Sequence, residues 1–342
     1  MAQNVPTVKL VGKNLKVDES NNRFYPKLIV GDLLLSMNMA DAGLYASVIK
    51  NDELSKAENI LKAGEEEFSF GGMSQIVKEK DKSLLVMTPM GFPPKMFKIT
   101  NTSNIASTKD VNLMKKIDLS GIPSIKYLNA GIVPVSDSKV LLGGTTMDAP
   151  KHIFSFYDFN EKKVTPIEFF PNDGVNASDF VKNTIYTENS KLYTNGNGRY
   201  LYECSYERYS FIFSVENDNV NVIKGLYEVY PDYSDPDGYN PQLKTLSAKK
   251  LNCAVTDDKI YVLLKGVDKN GTEIGEIASG TNPQIFGNTV EVYDWEGNKQ
   301  KVFELDHLGK RIMLSDDGKK IYLFSDDSDK DLPEILVYSV DK

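Results

Sequence analysis

The chain has 342 residues, 41% of them apolar and 26% charged, with a formal net charge of −8. That composition supplies a core of domain size. Its acidity disfavours a nucleic-acid backbone, whose counterions are displaced by a basic face, and no apolar run reaches the roughly 18 residues that cross a bilayer.

In chain order the first strand-like segment is TVKLVGKNLKV, residues 7–17, which has no hairpin partner of its own. Six hairpins follow, each an apolar strand, a tight polar turn and a second apolar strand. They read PKLIVGDLLLSM, QIVKEKDKSLLVM, GIVPVSDSKVLLGG, KLYTNGNGRYLYEC, LNCAVTDDKIYVLL and RIMLSDDGKKIYLFS, starting near positions 27, 75, 131, 191, 251 and 311. The turns carry Gly, Asp, Asn or Ser, which tolerate the positive φ angles of short hairpin loops. The second strands begin near Leu33, Leu84, Val140, Tyr200, Ile260 and Ile321, at intervals of 51, 56, 60, 60 and 61 residues. Even spacing of this kind is the mark of a repeat architecture.

A third strand follows each hairpin: LYASVIKND, MFKIT, IFSFYDFNEKK, SFIFSVENDN, VEVYDWEGNK and ILVYSVDK. More polar fourth strands follow in AENILKAG, NLMKKIDL, VTPIEFF, NVIKGLYEVY and KQKVFELD. The sixth unit has none, and residues 7–17 are free to supply it. The prediction is an all-β, six-bladed β-propeller with four antiparallel strands per blade. Residues 1–342 form one domain, and the ring is closed by the N-terminal strand on the last blade. Trp295 aligns with Phe159, Val215 and Val340 of sister units, which makes it packing material between blades.

The order LNCAVTDDKIYVLLKG, a variable loop, VEVYDWEGNKQKVFELD and RIMLSDDGKKIYLFS resembles the TolB-like six-bladed propellers, mostly exported lipoproteins of Bacteroidota. NGRYLYECSYERYSFIFSV followed by GLYEVYPDY fits the same pattern. Family members often carry a glycine-proline-glutamate-aromatic turn after the first blade; KAGEEEF keeps Gly64, Glu67 and Phe68 without the proline. The resemblance implies an exported protein, periplasmic or anchored to the outer membrane through a lipid on a segment outside this sequence. The start MAQNVPTVKL lacks a signal-peptide pattern, so a cytoplasmic location is the alternative.

Chemistry-bearing residues are sparse. His152 and His307 share no motif, and neither HExxH nor G-x-S-x-G occurs. Cys204 and Cys253 lie in separate apolar runs without metal-ligand spacing and read as buried thiols. The acidic clusters DYSDPDG (232–238) and DDSDKD (326–331) could offer carboxylates to calcium, but neither follows the twelve-residue calcium loop; no cofactor is expected. Inner strands offer Lys191, Asn252 and Arg311 without a convergent set of carboxylates, which leaves a metal-dependent, channel-centred hydrolase or lyase as the alternative function.

The favoured function is non-catalytic binding by a monomer in the cell envelope, with a glycan or a protein or peptide as partner. Connections between blades, and those between second and third strands, should gather at one face. The candidates there are Glu67, Phe68, Phe92, Tyr127, Tyr206, Arg208 and Phe286, aromatics beside charges and amides that suit apolar contact plus a few fixed hydrogen bonds. The longest insertion, 266–288, divides the second and third strands of the fifth blade; loops of that length are usually functional or disordered, and the function is sought there first.

Overall fold

A computed structural model describes residues 5–21, 24–38, 40–64, 68–70, 75–79, 81–88, 95–100, 102, 114–119, 131–144, 152–188, 190–217, 219–277, 281, 283–325 and 334–340. It is nearly all β, with six blades of four antiparallel strands arranged as a β-propeller. Its contacts divide into two compact units. One comprises Met1–Val8 with Leu119–Phe303, the other Lys9–Asp118 with Glu304–Lys342.

The first unit holds blades three and four and blade five as far as Phe303. Blade three is built from Gly131–Ser136, Lys139–Gly143, Phe154–Asp158 and Lys163–Ile167. Blade four follows with Lys191–Thr194, Tyr200–Glu203, Tyr209–Glu216 and Asn219–Glu228, and blade five with Lys250–Val255, Lys259–Lys265, Gly287–Asp294 and Lys299–Gly309. Both faces of these sheets are apolar. Phe154 and Phe156 of blade three meet Tyr200, Tyr202, Phe211 and Phe213 of blade four in one buried cluster, with Phe154 and Phe213 stacked at 5.0 Å. Leu201 and Ile212, on the opposite face of blade four, pack with Leu251, Cys253, Ile260, Val262 and Trp295 of blade five.

Local chemistry explains the turn after the third strand of blade five. The Asp294 carboxylate accepts the amides of Glu296 and Asn298, and Gly297 adopts φ +80°, so the chain reverses and leaves Trp295 pointing inward. Its ring is buried and its indole nitrogen donates to the Thr256 carbonyl at 3.1 Å.

The second unit holds blades six, one and two. Blade one comprises Phe24–Val30, Leu33–Asn38 and Leu44–Lys50, with an outer edge split into Glu53–Leu54 and Glu58–Leu61. The stretch DELSKAENILKAG, helical in composition, is therefore strand where it is regular. Blade two comprises Gln75–Lys78, Leu84–Thr88, Lys95–Ile99 and Met114–Ile117. Arg311 of blade six donates to the carbonyls of Pro26 and Lys27 in blade one at 2.6 and 3.2 Å. Asp316, in the blade-six hairpin turn, accepts the Gly31 amide of blade one and the Lys78 ammonium of blade two.

The N-terminal segment pairs with strands of three blades, not with the last alone. Lys13–Asn14 is the fourth strand of blade six, opposite Val337 and Leu336. Thr7–Leu10 instead adds a fifth strand to blade five, and Lys16–Val17 pairs parallel with Glu53–Leu54 of blade one. The segment bends between these roles at Gly12, whose amide donates to Asp306 at 3.1 Å while the Tyr338 hydroxyl donates to the same oxygen at 3.0 Å. A Cβ on Gly12 would lie 2.7 Å from the buried Tyr338 ring, so only glycine passes here undisturbed.

The second departure from expectation is an α-helix, Asp179–Thr187, in the connection from blade three to blade four. Ser178 caps it by accepting the Val181 amide at 3.2 Å, and Val181, Ile185 and Tyr186 face the core.

Trp295 provides a test of the packing between blades. Trp295→Phe keeps most of the apolar contact and loses one hydrogen bond, and should lower unfolding free energy by about 1–2 kcal/mol. Trp295→Ala opens a cavity at a blade junction and should cost about 3–5 kcal/mol. Urea denaturation of the two variants checks this ordering; equal effects would contradict the packing role.

Candidate functional site

Four connections of the first unit meet around the second-to-third-strand loop of blade four. That loop, Cys204 to Arg208, is closed by backbone bonds from Cys204 to Tyr209 and from Tyr209 to Glu207, at 2.9 and 2.8 Å. On one side the Tyr206 hydroxyl and the Ser205 hydroxyl donate to the carboxylate and the carbonyl of Glu188, just past the helix. On the other side Lys250, which opens blade five, donates to the Tyr206 carbonyl, and Val229 of the blade-four exit donates to the Arg208 carbonyl at 3.2 Å.

Arg208 carries the link to the long insertion. One guanidinium nitrogen donates to the Lys265 carbonyl at 2.6 Å, at the point where the insertion leaves the second strand of blade five. From there residues 266–274 fold back as a hairpin. Val267 pairs with Glu273 and Phe286, Ile274 donates to Gly266, and Asp268 holds the tip by accepting the amides of Asn270 and Thr272. Glu276–Ile277 then pairs with Leu246–Ser247, the residues that lead into blade five.

Charges beneath this surface are partly desolvated. Burial pushes the Glu207 carboxyl up and the Lys250 ammonium down, and the attraction between the two opposes both shifts. Burial also lowers the Arg208 guanidinium, against the pull of Tyr227, Glu291 and Glu207; guanidinium still holds its proton across the biological range. Deeper in blade five, burial alone would raise the Glu291 carboxyl. Hydrogen bonds from Lys299, Tyr227 and Tyr293, each at 2.5 Å, hold it below its ordinary value instead.

Other chemistry-bearing groups of this unit serve the junctions between blades. Glu203 is 4% exposed and accepts from Lys191, Tyr193 and the Cys253 amide at 3.1, 2.8 and 2.9 Å. Burial opposes its ionisation, but those partners, Lys191 first, keep it ionised below the usual glutamate value. Cys204 and Cys253 are buried free thiols pushed up by that burial, which suppresses the reactive thiolate. His152 is buried and its imidazole is pushed down by desolvation. In the second unit His307 pairs with Asp306 at 2.9 Å.

Of the seven sequence candidates, Glu67, Phe92 and Tyr127 lie outside the described residues. Phe68 packs edge-on against Phe97, 5.5 Å between centroids, in the second unit. Tyr206, Arg208 and Phe286 are brought together by the loop network. Phe286 contributes through its backbone, which bonds Gly266 and Val267, while its ring is 2% exposed and belongs to the core. Sequence reading missed Lys250, Glu188, Ser247 and Glu207. Lys250 stands at the start of a recognisable strand, but its burial depends on a loop one blade away.

The acidic cluster 232–238 is engaged with protein donors. Asp235 accepts the amides of Ser178 and Gly238, Asp237 accepts those of Tyr239 and Asn240, and Asp232 pairs with Lys244 at 3.1 Å. The second cluster, 326–331, lies outside the described residues. Among the described residues no group of three or more His, Cys, Asp or Glu surrounds a common point suited to a metal. No helix among them is long and apolar enough to cross a membrane.

No protein-family model and no curated protein sequence matches this chain. Solved structures align with it, one of them above a TM-score of 0.5. A “putative exported protein” of Bacteroides fragilis aligns with TM-score 0.57 at 11% identity, over 98% of this chain and 99% of its own. A Bacteroides thetaiotaomicron protein of unknown function aligns at TM-score 0.49 and 12% identity, over 96% and 75%. A calcium-binding regucalcin of Agrobacterium tumefaciens aligns at 0.45 and 11%, over 98% and 96%.

The Arg208 link predicts a measurable consequence. Arg208→Gln cannot reach the Lys265 carbonyl, and a lost charge-assisted bond of about 1.5–3 kcal/mol should free the insertion locally. Trypsin should then cut after Lys265 or Lys269 roughly tenfold faster, with little change in global melting. Unchanged cleavage would mean that the insertion is held by its other contacts alone.

Proposed function

We propose that this protein is a non-catalytic binding propeller of the bacterial cell envelope, with its ligand face on the joined connections of blades four and five. The observation that carries this reading is the Arg208–Lys265 bond together with the Lys250–Tyr206 bond. They tie two strand connections and one blade-to-blade connection into a single preformed surface. Preformed surfaces lose little entropy on binding, which is the physical requirement for recognition of an extended partner.

Two further points support binding over turnover. Inner-strand polar groups are already partnered, Lys191 with Glu203 of its own blade and Arg311 with the carbonyls of Pro26 and Lys27 in blade one. The buried thiols and the buried imidazole are tuned away from reactivity by desolvation. An exported location, with membrane attachment through a lipid, is what the resemblance to TolB-like propellers implies, and export is in keeping with the name of the Bacteroides fragilis neighbour. The ligand is a glycan or a peptide segment of another protein.

The test is a titration of oligosaccharide and peptide panels, read by hydrogen exchange on the protein. A bound ligand should slow exchange in residues 203–208, 246–250 and 265–277. Protection confined to the inner strands 191–194 and 250–255, or release of a hydrolysed product from either panel, would overturn the reading.

A further inference from the structure

Beside this network, the connection from blade four to blade five carries an aromatic ring set out into solvent. Tyr239 is 70% exposed, the most exposed large aromatic among the described residues. Tyr25, at 39%, is the only other aromatic among the described residues that reaches the exposed range, and its ring is already in contact with Phe324, Lys27 and Arg311. Scattered exposed apolar groups are ordinary; what distinguishes Tyr239 is how it is held.

The backbone beneath it is fixed at several points. Asp237 accepts the amides of Tyr239 and Asn240 at 2.9 and 2.8 Å and the Asn240 side-chain amide at 2.9 Å. Gly238 sits at φ +82° and donates to Asp235 at 2.5 Å. Asp235 also accepts the Ser178 amide at 2.7 Å, and the Ser178 hydroxyl donates to the Gly238 carbonyl at 2.8 Å, so the turn is docked on the cap of the helix. From the first turn of that helix Phe180 props the Tyr239 ring, 6.0 Å between centroids at 60°. The ring therefore has one supported side and one open side, and its hydroxyl is free among the described residues. Asn240, the next residue, is exposed, and with its side-chain nitrogen bonded to Asp237 it keeps a carbonyl oxygen as an acceptor.

We infer that Tyr239, propped by Phe180 and flanked by Asn240, is a stacking subsite for a neutral sugar ring of a polysaccharide. The inference rests on the binding-face reading above and names its ligand class. The face of a pyranose is a patch of C–H groups, and the negative face of a tyrosine ring attracts such partly positive hydrogens while burying apolar area. Equatorial hydroxyls at the rim of the sugar then meet the Asn240 carbonyl and the Tyr239 hydroxyl, giving the few fixed polar contacts such sites use. Charge selects the kind of sugar. Asp235 and Asp237 stand in the same turn as Tyr239, and both are held ionised below the ordinary aspartate value by the amides and side chains they accept from. Uronic acids and anionic headgroups are repelled by these charges, whereas uncharged hexoses and pentoses are not.

Affinity electrophoresis through gels containing soluble β-glucan, xylan, galactomannan or dextran tests the inference, with polygalacturonate as the anionic control. The wild-type chain should be retarded by at least one neutral polymer and not by polygalacturonate. Tyr239→Ala should weaken that binding by about tenfold or more, and Tyr239→Phe should retain most of it. Circular dichroism of each variant confirms that the fold is kept. Wild-type mobility unaffected by every neutral polymer, or equal retardation of wild type and Tyr239→Ala, overturns the subsite. Retardation that survives Tyr239→Ala but falls in Arg208→Gln removes the Tyr239 subsite and leaves the binding face standing. Peptide binding with no polysaccharide binding removes the glycan and keeps the face.

Discussion

Blades in this protein are apolar on both sides, and that constraint governs everything else in the structure. A sheet with one apolar face can stop at a single packing layer; one with two must be covered twice. Phe211 and Ile212 are consecutive residues of blade four, so they point to opposite faces, and each lies in a different buried cluster, one shared with blade three and one with blade five. In the second unit Leu34 and Leu35 of blade one do the same, toward blade six and toward blade two. The demand for cover on both faces makes a repeat of blades the solution, and it leaves the connections as the parts of the chain free to vary.

Much of this was legible because hairpin chemistry is local. Turn residues, period-2 alternation and the even spacing of second strands are all contained within short windows, and the blades fall where those signals lie. The N-terminal segment was only partly legible. Its lack of a hairpin partner marked it as a closing strand, but its division among three blades depends on Gly12, Asp306 and Tyr338, which meet across some 300 residues of chain. The helix Asp179–Thr187 was missed although Ser178 and Asp179 form a standard start, because nine residues carry too little periodicity to outweigh an expected loop.

The candidate site shows the same division. SYERYS and the long insertion stood out as aromatic and charged connections, and both belong to the network that joins blades four and five. Phe286 looked equivalent to Tyr206 in the sequence, yet its ring faces the core while Tyr206 reaches Glu188. Which side of a connection faces water depends on partners one blade away, and no local pattern encodes that. Tyr239 went unnoticed for a related reason. Its turn reads as an acidic loop, and only the docking of Asp235 on Ser178 reveals that the loop is a fixed pedestal.

These observations share one mechanical idea: connections usually free to move are here bolted to one another, and the proposed recognition would use the surface that results. Backbone hydrogen exchange of the unliganded protein tests it most directly. The amides of Ala248, Gly266, Val267 and Ile274 are donated to carbonyls of Gly275, Phe286, Phe286 and Gly266. If the surface is preformed, they should exchange on the timescale of strand amides in blades four and five. Exchange at the rate of unstructured peptide in all four, with the blade strands still protected, would contradict the account.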